Sequence, residues 1–293
     1  MKDNLGRIED LIGQLSSIEK DLETLGPHGL DEAHKEITSL RSQITELLIF
    51  ALHEGDTLTR RGAAYGLTKL RDPRSVGALI SSLEDHDDVV RGWAAEALGA
   101  MKCDEAAPAL IRALKDENPY VAYNVSNALK RLNRSQVMRL LIESLSDSSG
   151  NTRRRAAKLL GEIGDSKAVF PLIKCLKDAD ERVRYEVVEA LRKIGDWRAV
   201  PAVIEALQDD NRDVRYGGIQ ALRAFRDPRA IDALVRICLE NKDLRPIALQ
   251  ALKEICGEDA IIPVLAAIEQ IETLVCVAAS KIQEKVEYHQ ASG

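Results

Sequence analysis

Along most of the chain, apolar residues recur three and four positions apart in short runs such as AVPAVIEALQ (199–208) and DVRYGGIQALRAF (213–225). That spacing lays one apolar stripe along an α-helix. The runs themselves repeat. Leu67, Leu98, Leu129, Leu160, Leu191 and Leu222 stand 31 residues apart, and Leu252 follows after one deletion. A second column in the same register holds Arg60, Arg91, Arg153, Arg184, Arg215 and Arg245, with Ala122 its exception. A third holds Leu52, Leu83, Leu114, Leu145, Leu176 and Leu207. Three columns in one register define a repeating unit, and each unit reads as two helices.

Helix punctuation falls where that reading needs it. Gly164 with Asp165, Gly195 with Asp196, and Asp227 with Pro228 end one helix and begin the next. Pro108, Pro171, Pro201 and Pro263 fall in first turns, where a missing N–H costs little. Strand signals are absent. A helix of about a dozen residues cannot bury its stripe alone, so consecutive pairs must stack into one continuous core. Residues 44–55 match the first helix of a unit and 273–282 the second of another, which predicts about eight pairs.

The ends depart from the period. In residues 1–29, Leu5, Ile8, Ile12, Leu15, Leu22 and Leu25 make a heptad-like stripe, and GPHG (26–29) breaks it. This predicts an N-terminal capping helix and turn over 1–29, a solenoid over 30–287 and a polar tail over 288–293. Terminal repeats of such arrays are atypical because they must shield the core. Dimerisation through the N-terminal helices is the alternative, although fewer than four heptads is short for a coiled coil.

Composition narrows the class of partner. The chain has 293 residues, 41 Lys plus Arg against 47 Asp plus Glu, and a net charge of −6. That balance opposes non-specific attraction to nucleic acid or anionic lipid. The five cysteines, Cys103, Cys175, Cys238, Cys256 and Cys276, are odd in number and widely spaced, with no CxxC pair. They suggest neither a disulfide framework nor a zinc site. The expected setting is a reducing cytoplasm. The opening residues mix acids and bases too finely for a signal peptide, and no stretch approaches the roughly 20 apolar residues of a membrane span.

The segments DDVVRGWAAEALGAM (87–101), TRRRAAKLLGEIGD (152–165) and ERVRYEVVEALRKIGD (181–196) resemble the short HEAT-like repeats named after phycobilisome lyases. The resemblance covers about residues 40–285. It implies an all-α, right-handed α-solenoid of about eight HEAT-like helix pairs. Proteins of this kind include bilin lyase subunits, deoxyhypusine hydroxylases and adaptors, so the architecture leaves the activity open.

Deoxyhypusine hydroxylases carry His and Glu dipeptides just after the column arginine, where they bind iron. Here those slots hold Arg61 and Gly62, Gly92 and Trp93, Tyr123 and Asn124, Arg154 and Arg155, Tyr185 and Glu186, Tyr216 and Gly217, and Pro246 and Ile247. None is a histidine. His53 and Glu54 form a His and Glu pair outside this register, and the remaining histidines, His28, His34, His86 and His289, form no ligand or triad spacing. The sequence therefore predicts no enzyme, no metal and no cofactor. Bilin lyase subunits offer no short motif to match, and a lyase-like subunit stays as an alternative.

The column arginines Arg91, Arg153, Arg184 and Arg215, with the loop acids Asp72, Asp165, Asp196 and Asp227, suggest a structural ladder of charge-assisted hydrogen bonds. Function is expected beside that ladder, on the second helices, which the resemblance places along a concave groove. Arg61, Tyr65, Trp93, Tyr123, Arg154, Arg155, Lys158, Tyr185 and Tyr216 fall on one stripe there. Tyr, Trp and Arg dominate binding hot spots. Arg131, Arg134 and Arg153 add to a basic centre, and Glu181, Glu186 and Glu189 make an acidic flank. A mixed pattern favours an anionic or mixed-charge protein segment over a nucleic-acid duplex, which would want a continuous positive stripe. The expected function is a scaffold or adaptor, with single-stranded nucleic acid as the lesser alternative.

Overall fold

The computed structural model describes residues 2–21, 27–257 and 261–270, and among them helix follows helix with no strand. Three helices open the chain: α1 (Lys2–Asp21), α2 (Pro27–Glu54) and α3 (Thr57–Leu70). Short first helices then alternate with longer second helices. The pairs are α4 (Val76–Ser82) with α5 (Asp88–Ala100), α6 (Ala107–Arg112) with α7 (Pro119–Arg131), and α8 (Arg134–Ser144) with α9 (Gly150–Ile163). They continue as α10 (Val169–Lys174) with α11 (Glu181–Ile194), α12 (Val200–Ala206) with α13 (Arg212–Phe225), and α14 (Ile231–Glu240) with α15 (Arg245–Cys256). Residues 262–270 are helical as well. The expected helix over 273–282, the polar tail, Leu22, Leu25, Cys276 and His289 lie outside the described residues. Among those described, no helix is long and apolar enough to cross a membrane.

The chain divides into two compact units, Met1–Ala156 and Ala157–Gly293, with the division inside α9. The beginning also differs from the sequence expectation of a turn at 26–29. Helix α2 starts at Pro27 and runs unbroken for 28 residues to Glu54, so residues 44–54 lie in its C-terminal half. The boundary expected at residue 29 falls inside its first turn. Pro27 suits that turn because the N–H it lacks has no intrahelical partner there.

The leucine column is the core. Leu67, Leu98, Leu129, Leu160, Leu191, Leu222 and Leu252 are all buried. Within the first unit α5 packs against both α3 and α7, and within the second α13 packs against both α11 and α15. Small residues set the closest approaches. A Cβ at Gly99 would lie 2.5 Å from Ala128 Cα, and one at Gly161 would lie 2.6 Å from Ala190 Cα. Those contacts are nearer than any larger side chain permits, so neighbouring second helices touch almost backbone to backbone.

The connections obey their own periodic chemistry. Asp56, Asp87, Asn118, Asp180 and Asn211 are the N-caps of α3, α5, α7, α11 and α13, each accepting from backbone N–H groups of the first turn. Such a cap is worth about 1 kcal/mol. Two residues before four of these caps, Asp85, Asp116, Asp178 and Asp209 accept the backbone N–H of the cap residue itself, and Asp147 accepts that of Ser149 just before α9. At the far ends of second helices the chain turns left-handed, at Gly164 and Gly195 but also at Arg71, Lys102 and Arg226. The three non-glycine residues bear a steric cost there of roughly 1 kcal/mol each.

Candidate partner-binding surface

The arginine column and the loop acids named from the sequence build two separate ladders. Three column arginines reach acids 25 residues onward. Arg60 binds Asp85 at 2.8 Å, Arg91 binds Asp116 at 2.6 Å and Arg184 binds Asp209 at 2.7 Å. Each uses Nε and one terminal nitrogen against both carboxylate oxygens. The remaining terminal nitrogen donates to a carbonyl of the loop preceding its own helix, as Arg91 does to Asp85 at 2.9 Å. Arg153 donates to the carbonyls of Asp147 and Ser148, and Arg215 to those of Asp209 and Asp210.

Asp72, Asp165, Asp196 and Asp227 instead cap the one-turn 3-10 helices that open the first helices. Three of them also hold the arginine two residues on: Asp72 with Arg74 at 2.5 Å, Asp196 with Arg198 at 2.5 Å, and Asp227 with Arg229 at 2.6 Å. The Arg74 hydrogen bonds pull Asp72 down to about 2, with help from the Thr45 hydroxyl and against the burial of the carboxylate. Arg198 and Arg229 lower Asp196 and Asp227 in the same way. Cys103 occupies the equivalent slot and makes no side-chain cap. The other described thiols are also as chemistry demands: Cys238 is buried, which pushes it up to about 11, Cys175 is half-buried and Cys256 is exposed. Among the described residues no group of three or more His, Cys, Asp or Glu could hold a metal ion.

The stripe beside the arginine column is chemically uneven. In the first unit Tyr65 and Trp93 meet edge to face at 4.9 Å, and Lys69 Nζ lies 5.0 Å from the Tyr65 ring centroid. Tyr123 on α7 is 67% exposed. Arg154 is half-buried. Arg61 is committed to Asp87, at 2.6 Å, which is also the N-cap of α5. Arg155 turns inward and donates to the carbonyls of Leu114 and Asp116, where burial, and then the nearby Arg154, lower its pKa. In the second unit Lys158 is exposed. Tyr185 and Tyr216 leave over a third of their surface to solvent. Tyr185 lies over Gly217, where a Cβ would be 3.5 Å from its ring, and the Tyr216 hydroxyl accepts from Gln220 at 3.0 Å. Glu189 of the acidic flank is paired with Arg192 at 2.7 Å.

Two features escaped the sequence reading. One is an edge in the second unit where Arg198 lies 5.3 Å from the Phe170 ring centroid and Arg229 lies 5.5 Å from that of Trp197. The other is an apolar pocket of about 600 Å³ between α1, α2 and α3. Its signal was present in the columns. Phe50 stands where later units have Ser81, Arg112, Glu143, Lys174, Glu205 and Arg236.

A periodic stack of helix pairs with capped, ion-paired turns defines an all-α repeat protein of the solenoid class. The model describing HEAT repeats matches residues 44–117, 107–178 and 170–253, and the chain belongs to that family. No curated protein matches it. Among solved structures, a karyopherin bound to a SUMO protease is similar at 14% identity and a TM-score of 0.64, over 89% of this chain and 34% of that one. Human deoxyhypusine hydroxylase in complex with glycerol is similar at 22% identity and a TM-score of 0.38, over 85% of this chain and 98% of its own. The complex of CpcE and CpcF of phycocyanin lyase from Nostoc is similar at 24% identity and a TM-score of 0.38, over 77% and 94%.

Proposed function

We propose that this HEAT-repeat protein is a non-catalytic scaffold that binds a protein segment of anionic or mixed charge on the outward slots of its second helices. The observation that carries the reading is Tyr123, an aromatic side chain left 67% exposed on a helix whose buried face is already complete. An exposed tyrosine supplies a large, stiff contact surface, and truncating a true anchor of this kind costs about 2 kcal/mol or more in binding. Tyr65, Trp93 and Arg154 extend that surface in the first unit, while Lys158, Tyr185 and Tyr216 offer a second one in the other. Arg61 and Arg155 support loops, and their charge is spent internally before any partner arrives.

The test is a variant with Tyr123, Arg154, Tyr185 and Tyr216 changed to alanine and shown to melt like the parent. Proteins retained from native extract by the parent but lost by the variant would support the reading and provide the segment for direct titration. An identical retained set would overturn it. Nucleic-acid shift assays address the alternative, since binding at low salt that falls steeply as salt rises would mark phosphate contacts. Stoichiometric iron in the purified protein would overturn the non-catalytic reading.

A further inference from the structure

The pocket between α1, α2 and α3 calls for an explanation that the repeat does not supply. At two outward slots α3 carries Leu58 and Tyr65, and at the second of these every later second helix from α5 to α13 is polar. Leu58 aligns with Val89 and Tyr120 and then with Asn151, Arg182 and Asp213, whereas Tyr65 aligns with polar residues throughout, Glu96, Asn127, Lys158, Glu189 and Gln220. Leu58 is 75% exposed and Phe50 on α2 is 50% exposed. Helix α1 brings Ile8, Ile12 and Leu15 to the same space without filling it. Gly62 keeps it open, since a Cβ there would meet nothing within 4 Å, whereas the same slot carries Trp93, Asn124, Arg155 and Glu186 in later units and glycine again at Gly217, which Tyr185 covers.

A cavity of about 600 Å³ walled by aliphatic and aromatic groups has the size and character of a small-molecule site. Its charges are polarised. Glu54 lies by the start of α3, and Lys69, held over the Tyr65 ring, lies in the last turn. From Thr59 to Lys69 the wall of α3 runs about 15 Å at 1.5 Å per residue. The geometry points to a site for a single aliphatic chain with an anionic head, the tail lying among Ile12, Leu48, Phe50 and Leu58 and the head at Lys69. The acidic end of the pocket repels the head and fixes the ligand's direction. This site is independent of the outward slots proposed above to hold a protein segment, apart from Tyr65, which borders both.

Isothermal titration of the full chain with dodecanoate tests it. Saturable one-to-one binding is expected. Gly62→Leu projects into the space from a position where a Cβ meets nothing within 4 Å, so it should fold and weaken binding at least about tenfold, or 1.4 kcal/mol. Leu58→Glu, a change at an exposed position, should do the same and serves if the first variant fails to fold. Lys69→Gln should weaken dodecanoate about tenfold and leave dodecanol within about twofold, because only the head loses its partner. Titrating the same chain on a lysophospholipid separates the sources: tighter binding of either form supports the site and says whether a free acid or a lipid provides the chain. No saturable binding of any of these probes, or equal affinity in Gly62→Leu and Leu58→Glu, overturns the proposal. So does equal weakening of dodecanol and dodecanoate by Lys69→Gln.

Discussion

Helices α3 and α13 occupy the same place in their repeats and present opposite surfaces. Both bury a leucine of the 31-residue column, Leu67 and Leu222, and both begin at an Asx cap. At the outward slots α13 carries Asp213 and Gln220, while α3 carries Leu58 and Tyr65. The inner face of a second helix is fixed by the stack, which needs the same apolar contacts at every step. The outer face is free to vary, so a departure there reports a local task. For α3 the departure coincides with a pocket under α1, and for α7 it is the exposed Tyr123.

The largest effect should come from the frame shared by all repeats. Asp116→Ala leaves the half-buried Arg91 guanidinium without its carboxylate and the Asn118 N–H without its acceptor, and should cost about 3 kcal/mol in chemical unfolding of the first unit. Next is a substitution whose sign differs between the two kinds of surface. Gly99→Ala forces a methyl group toward the Ala128 backbone and should cost about 2 kcal/mol. Gly62→Ala, entering open space in the middle of a helix, should instead gain about 0.5–1 kcal/mol. If both changes destabilise alike, the outer slots of α3 are not free.

Acid provides a finer probe. Asp72 is held at about 2 against an ordinary 3.8 by its bonds to Arg74. Because the folded value is the lower one, the stabilisation is complete above about pH 4 and disappears as the pH falls toward 2. An Asp72→Asn variant should therefore show a shallower loss of melting temperature across that interval. The smallest effect is expected at Tyr123→Ala, within about 0.5 kcal/mol in stability, as for a surface residue away from packing, even where partner binding falls sharply.

The leucine columns, the two-helix unit and the loop positions were legible because stacking imposes the same burial at the same period. The cap column Asp87, Asn118, Asp180 and Asn211 was equally periodic, yet its meaning rests on backbone N–H groups that a side-chain pattern does not display. The arginine ladder was recognised, but its partners were not. Asp72, Asp196 and Asp227 recur as regularly as Asp85, Asp116 and Asp209, and periodicity alone does not choose between two acids in a loop. Arg155 illustrates the same limit at the surface, since nothing in its slot distinguishes a guanidinium turned to the Leu114 and Asp116 carbonyls from one offered to a partner.

What the sequence determined by itself is the repeating helix pair, because helix periodicity and the need to bury each stripe are local rules applied again and again along the chain. The tertiary structure decided which acid each arginine takes, how closely Gly99 brings two helices together, and that Gly62 and Phe50 border an apolar space. Those outcomes depend on distances between residues on different helices, and such distances exist only once the helices are packed.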